Sequence, residues 1–245
     1  MRSVGTRIAP LLAAALVAIS SVALAVSEDG YIEHSGIITR DVAAVQRGAK
    51  LFVNYCLSCH SAQYMRYNRL AEDLGLSEDM VVDNLMFASA KIGDTMNIAM
   101  RPADAETWFG NAPPDLSLIA RSRGVDWLYS YMKGFYRDDS GNWNNLLLPN
   151  AAMPHVLWQL QGIQEPVFHT VGGEDVIEKL ELVEPGQQSP EEYEDTVRDL
   201  VTFLDYLSEP SKLKRKRVGI WVMLFLAFFA FLTYLLKAEY WRDVH

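Results

Sequence analysis

Cysteine is nearly absent, with two residues in a chain of 245. A structural zinc site would want two more Cys or His at similar spacing, and none exist. No glycine-rich phosphate loop, metalloprotease helix or nucleophile triad is present, so the usual signatures of phosphate binding and hydrolysis are missing. No internal repeat is found, which excludes a solenoid or a propeller. Cations are scarce between the two ends: residues 26–211 hold 29 Asp and Glu against 13 Lys and Arg, a balance of −16. The whole-chain value of −9 hides this, because the basic residues gather near the C-terminus. Such acidity argues against nucleic acid or anionic lipid as the main partner. It favours a basic protein steered in by long-range attraction, and it also keeps an exported domain soluble.

Both cysteines lie in one pentapeptide, Cys56-Leu57-Ser58-Cys59-His60. This C-x-x-C-H spacing is the attachment sequence of a c-type haem. Two thioether bonds must reach two vinyl groups on one edge of the porphyrin, and the next residue must bring its imidazole under the iron. A redox dithiol is the competing reading, but it belongs near a βαβ pattern that this region lacks. The cofactor expected is one covalently attached haem c.

Both ends carry targeting features. Residues 1–25 open with Arg2 and Arg7, run through apolar Ile8–Ala18 and close on Ala23-Leu24-Ala25. That is the pattern of a cleaved secretory signal peptide, which in a bacterium delivers the rest to the periplasm. At the other end, Val218–Leu236 is an uncharged apolar run of 19 residues. At 1.5 Å per residue it spans about 28 Å, close to the hydrocarbon core of a bilayer. Tyr234, Tyr240 and Trp241 suit an aromatic belt. The expected division is signal peptide 1–25, haem domain 26–211, basic segment 212–217, transmembrane helix 218–236 and cytoplasmic tail 237–245.

The flanks of that span conflict with the leader. Lys212, Lys214, Arg215, Lys216 and Arg217 precede it, against Lys237 and Arg242 after it. The positive-inside rule would put the five cations in the cytoplasm, yet a long exported domain translocates largely regardless of charge. The expectation is therefore a single-pass inner-membrane protein with its haem domain in the periplasm and its C-terminus cytoplasmic. The basic segment then meets anionic headgroups or an acidic partner at the outer lipid surface.

Along the domain, a helix is expected to begin near Thr39 or Asp41, with Val42, Val45, Ala49 and Phe52 on one face. Gly48 within it points to a close helix crossing. The partner is a helix opened by Ser189-Pro190-Glu191-Glu192, carrying Tyr193, Val197, Leu200, Val201, Leu204 and Leu207, and ended by Pro210. Residues 63–90 read as short helices and loops, with Met65, Met80 and Met86 as packing residues. Residues 97–118 read as irregular chain wrapping something, and 125–135 as an amphipathic helix with Trp127, Leu128, Tyr131 and Met132 in the core. Residues 137–149 read as a polar loop. For 172–186 a strand pair and an acidic loop remain open.

Opposite His60 the iron takes Met, His, water or nothing. Asn150-Ala151-Ala152-Met153-Pro154 is the best ligand loop, and a thioether ligand suits a high-potential carrier. Met96, Met100 and His155 are the other candidates; His155, His34 and His169 otherwise read as surface or hydrogen-bonded histidines. Buried propionates need cationic or hydrogen-bonding partners. Arg123, Arg121 and Arg101, with Trp127 or Trp108, lie nearest the wrapping segment in sequence.

The order of signal peptide, apolar helix, Cys56–His60 followed by Ser61, Met100-Arg101-Pro102, Pro113–Ser117 with Arg121 and Arg123, a late Met-Pro loop, and Val201–Pro210 running into Lys214–Arg217 and one span resembles the cytochrome c1 family. That family supplies the haem subunit of ubiquinol–cytochrome c oxidoreductase, the cytochrome bc1 complex, and the leader marks a bacterial form. The resemblance implies a mainly α fold: a cytochrome c-like haem domain with long insertions, plus one C-terminal transmembrane helix. It implies haem bonds at Cys56 and Cys59, axial ligands His60 and Met153, and Arg123 as a propionate partner. It implies electron transfer from the Rieske iron–sulfur protein to a basic cytochrome c, beside cytochrome b in a dimeric complex. Within that quinol–cytochrome c reductase the chain would carry no acid–base catalytic residue. The alternatives are a tethered cytochrome c serving a terminal oxidase or another redox complex, and a haem sensor or peroxidase with an open sixth site.

Overall fold

A carboxylate starts the first helix. In a computed structural model that describes residues 31–171 and 174–243, Asp41 is extended and its side chain accepts from the Ala44 N–H, opening α1 (Val42–Leu51). Such a cap is worth about 1 kcal/mol. The leader, residues 1–25, lies outside the described residues. The helix widens into a π-helical turn at Phe52–Cys56. Turns of this kind are frequent at functional sites, because the extra residue re-aims side chains.

The helix that crosses α1 is α8 (Pro190–Ser208), begun by a capping box in which Ser189 and Glu192 exchange hydrogen bonds and Pro190 occupies the first turn. The expected stripe is its buried face. At the crossing, a Cβ on Gly48 would lie 2.0 Å from the Asp199 carbonyl oxygen and 2.7 Å from Phe203 Cβ. Glycine is therefore what lets the two backbones meet. Phe52 packs on Phe203 at 5.3 Å, and Arg47 forks onto Asp199 at 2.6 and 2.7 Å.

Between these helices lie β1 (Ala62–Arg66), α2 (Tyr67–Leu74), α3 (Glu78–Leu85), β2 (Thr95–Met96), α4 (Pro102–Phe109), α5 (Ile119–Arg123), α6 (Val125–Lys133), β3 (Phe135–Arg137), β4 (Trp143–Asn145), α7 (Trp158–Gln161), β5 (Gly162–Val171) and β6 (Glu174–Pro185). Among the described residues the strands make three two-stranded antiparallel ribbons, β1–β2, β3–β4 and β5–β6. The fold is mainly α, as the family resemblance implied.

Several local expectations are corrected. The stretch 97–118 is not wholly irregular, since α4 begins with Pro102 in its first turn and stops at Gly110 in a left-handed conformation. That pairing of Pro inside the start and Gly past the end is a legible helix signal. The polar stretch 137–149 holds a hairpin rather than a loop. Asp138 accepts from the Ser140 and Asn142 N–H groups, and Gly141 turns the chain with φ 78°. Met80 is 52% exposed, so it is not a packing residue, whereas Met65 is buried. Within 172–186, Glu174–Pro185 is the second strand of a long hairpin whose first strand starts earlier, at Gly162. Glu178, Glu181 and Glu184 are exposed on it.

The chain ends in α9 (Lys212–Tyr240), of which Arg217–Tyr240 is long and apolar enough to cross a membrane and is wholly unburied. Its first turn does not present free cations. Lys212 pairs with Asp205 at 2.6 Å, Lys214 with Asp73 at 3.0 Å and Glu72 at 3.2 Å, and Arg215 with Glu209. The acidic partner expected for the basic segment is, for these three residues, the domain itself.

Candidate functional site

The π-turn and the residues after it present the pentapeptide. The Cys59 and His60 N–H groups both donate to the Cys56 carbonyl, at 3.0 and 2.8 Å, which wraps the thiols and the imidazole around one tight turn. The two thiols are not bonded to each other. Burial, with a smaller contribution from the nearby Cys59, pushes the Cys56 thiol up to about 12. Redox-active dithiols do the reverse and lower a thiol's pKa.

His60 Nδ1 lies 2.7 Å from the Pro114 carbonyl oxygen. A carbonyl only accepts, so Nδ1 carries the proton and Nε2 keeps its lone pair. Burial holds the imidazole pKa below its ordinary value, against the opposing effects of that carbonyl and Asp115. The ring is thus neutral and oriented, as a metal-ligating histidine needs.

The wrapping segment is pinned to this turn by one backbone hydrogen bond and by two of its own side chains. Leu116 N–H donates to the Ser61 carbonyl at 2.8 Å, Gln63 N–H to the Asp115 carboxylate at 2.9 Å, and Tyr64 N–H to the Ser117 hydroxyl at 3.1 Å. Asp115 also accepts from the Ser117 N–H at 2.8 Å. The Pro-Pro-Asp-Leu-Ser run therefore works as a clamp that delivers the Pro114 carbonyl to His60.

Met153 arrives on a separate scaffold. Asn144 accepts from the Asn150 N–H at 2.8 Å, and Asn150 takes a positive φ of 60°, a conformation Asn tolerates. Buried Asn145 donates to the Tyr131 carbonyl at 2.8 Å and accepts from the Leu147 N–H at 2.9 Å. The loop so clipped leaves Met153 half-buried against the same core that holds Cys56. The Tyr131 hydroxyl lies 3.8 Å from the Met153 sulfur. Burial pushes the Tyr131 phenol up to about 12, which keeps it a neutral donor.

An aromatic column runs along α6 beside this loop. Arg123 lies 5.0 Å over Trp127, Trp127 stacks on Tyr131 at 4.9 Å, and Tyr131 meets Phe135 edge-on at 5.0 Å. Phe135 stacks on His155 at 5.0 Å, and Trp143 closes the column against the same imidazole at 5.3 Å. His155 is 2% exposed, and neither ring nitrogen makes a hydrogen bond of good geometry among the described residues. It is neither a surface nor a hydrogen-bonded histidine. Burial pushes its pKa down to about 4, against a weaker opposing effect of Gln161. His34 is exposed and bonds Asp126, and His169 is exposed.

The other candidates are placed elsewhere. Met96 is fully buried in β2 as a packing residue, and Met100 is half-buried. Arg101 is committed to Asp104 at 2.7 and 3.0 Å. Trp108 is 64% exposed and packs on Phe109. Arg121 is exposed. Arg123, also exposed, joins the aromatic column at Trp127, and Arg137 joins it at Trp143, 4.9 Å from the ring centre.

A covalent haem asks for two unbonded thiols at C-x-x-C spacing, a neutral imidazole with one nitrogen free, and a soft donor for the opposite face. Cys56, Cys59, His60 and Met153 fit that donor set. Sequence reasoning missed the Pro114 carbonyl, which as a backbone atom leaves no trace in residue identity. It placed Tyr131 only in the core, although Trp127 and Tyr131 lie four residues apart on one helix face and Phe135 follows at the same spacing just beyond the helix end.

A family model described as the Cytochrome C1 family matches residues 32–244. Cytochrome c1 of Allochromatium vinosum is 51% identical over 241 residues, covering 96% of this chain and 99% of that protein. A protein of Nitrosomonas europaea named ammonia monooxygenase gamma subunit is 46% identical over 247 residues, covering 100% of both. Cytochrome c1 of Rhodospirillum rubrum is 28% identical, covering 85% of each chain.

Proposed function

The chain belongs to the cytochrome c1 family, and we propose from that premise that one haem c is attached through Cys56 and Cys59, with His60 and Met153 as axial ligands and Arg123 as a propionate partner. Its role is that of a haem electron carrier in the respiratory bc1 complex. The donor is the Rieske iron–sulfur protein and the acceptor a basic cytochrome c, with cytochrome b alongside in a dimeric assembly. The single observation that carries the reading is the Nδ1–H of His60 held 2.7 Å from the Pro114 carbonyl beside two unbonded thiols.

A bound haem supplies a one-electron iron couple. The chain's part is to hold and tune it. Pro114 fixes the tautomer of His60, and the clipped loop presents a thioether. The aromatic column keeps water from that side, and Arg123 offers charge to a propionate. None of these residues acts as a general acid or base, so in a quinol–cytochrome c reductase this subunit carries electrons while the proton chemistry lies elsewhere. The haem domain faces the periplasm and α9 anchors it, leaving the C-terminus in the cytoplasm.

The test is to purify the full chain from membranes. The expected result is a mass raised by one haem, a c-type haemochrome spectrum, and co-purification with cytochrome b and a Rieske subunit. A polypeptide without added mass removes the haem reading. A second reading, a tethered cytochrome c in another redox complex, draws on the name of the Nitrosomonas relative. Co-purification with an oxygenase or oxidase in place of cytochrome b decides for it. A haem that binds carbon monoxide at an open sixth site decides instead for a sensor or peroxidase.

A further inference from the structure

We propose that the Tyr131 hydroxyl, by donating to the Met153 thioether, orients that sulfur and raises the reduction potential of the iron bound to it. The inference rests on Met153 being the ligand, as read above. It adds a positioning residue that the ligand set does not contain.

The geometry is an O–H donor 3.8 Å from a thioether sulfur. A thioether has two lone pairs and is a weak acceptor. One lone pair can face a metal while the other meets the phenol. Donation withdraws electron density from the sulfur, which weakens its support of the ferric state more than the ferrous. The potential therefore rises, in the way hydrogen bonds to a ligand tune other metal centres.

The donor is held in place. Its ring stacks on Trp127 at 4.9 Å with 11° between the planes, and meets Phe135 at 5.0 Å and 70°. Its carbonyl accepts from Asn145, the residue that also clips the loop carrying Met153. The phenol and the sulfur are thus positioned by one asparagine. Burial keeps competing water away and strengthens the bond. Trp127 in turn underlies Arg123 at 5.0 Å, so the column links the thioether to the arginine read as a propionate partner.

Tyr131→Phe in the full haem-loaded chain keeps the ring and removes only the hydroxyl. The ferric–ferrous equilibrium is expected to move about two- to tenfold toward ferric, the upper end being a fall of about 59 mV for a one-electron couple. The methionine–iron absorption band should shift while haem content stays unchanged. A purely structural role would lower thermal stability and leave the potential alone. Met153→Leu, run in parallel, reads the premise and should abolish the band. If the band survives Met153→Leu, the ligand assignment fails and the inference with it. If Met153→Leu abolishes the band but Tyr131→Phe leaves potential and band at their original values, the hydrogen bond alone is overturned. A measurement without any variant covers poor folding of Tyr131→Phe. Exchange of the phenolic hydrogen for deuterium should move the iron–sulfur vibration, and an unmoved vibration overturns the proposal.

Discussion

The ammonium of Lys214, in the first turn of the anchor helix, lies 3.0 Å from the carboxylate of Asp73, whose side chain is 3% exposed. Asp73 also accepts from Arg69 and from the Tyr206 hydroxyl, each at 3.1 Å. One carboxylate therefore joins α2, α8 and α9. Desolvation by burial would raise its pKa, but Lys214, Arg69 and Tyr206 outweigh it and hold the carboxyl below its ordinary value.

That depressed pKa predicts an acid limb. The stabilisation is present above the unfolded value of about 3.9 and is lost as pH falls through the lower folded value. Asp73→Asn is expected to cost about 1–3 kcal/mol at neutral pH, because Lys214 and Arg69 lose their counter-charge and one of the two carboxylate oxygens is replaced by an NH2 donor. It should also flatten the decline in stability below about pH 4. Lys214→Ala, the exposed partner, should cost less than Asp73→Asn. Denaturant unfolding of the detergent-solubilised chain across pH checks both; equal costs for the two variants would refute the account.

Gly48→Ala tests the helix crossing. Helix propensity alone favours alanine by about 1 kcal/mol. The new Cβ would sit 2.0 Å from the Asp199 carbonyl oxygen, a backbone atom that cannot swing aside. The expected outcome is therefore destabilisation by about 1–3 kcal/mol or more, read as a lower thermal midpoint and reduced haem loading. A stabilised variant would mean that the helices do not touch there.

Asn145→Ala should loosen the Met153 loop. It removes a donor to the Tyr131 carbonyl, which is buried, and an acceptor for the Leu147 N–H, which is partly buried. A loss of about 1–3 kcal/mol is expected. The sharper sign is a weakened methionine–iron band at temperatures where helix content, followed by far-UV circular dichroism, is still full. Loss of the two signals together would show that the loop is not a separate unit.

Electron transfer to a basic acceptor should slow as salt rises. The balance of −16 over residues 26–211 is the source of the attraction. Exposed charges are screened beyond about 10 Å at 0.1 M ionic strength. Stopped-flow oxidation of the reduced chain by a cationic cytochrome c, between low salt and about 0.3 M, reads it. A rate independent of salt removes the steering argument.

Much of the chain could be read locally. Asp41, the Ser189–Glu192 box and the 19-residue apolar run each act through neighbours a few positions away, so their outcome follows from spacing. The helix at Pro102 and the hairpin closed by Asp138 and Gly141 also had local signals, and the density of polar residues and prolines obscured them. Met80 failed for another reason: which methionine faces the core depends on what packs against its helix.

The sequence by itself determined the covalent chemistry on offer, the helix starts and stops, the membrane-length run and the acidity, because these rest on residue type and on contacts within one or two turns. Only the tertiary structure decided that the Pro114 carbonyl holds His60, that Tyr131 meets the Met153 sulfur, that His155 is buried without a hydrogen bond among the described residues, and that Lys214 closes on Asp73. Those partners lie tens of positions apart. Backbone carbonyls have no sequence signature, and a charge or a ring shows nothing of its partner until folding has brought the two together and excluded water between them.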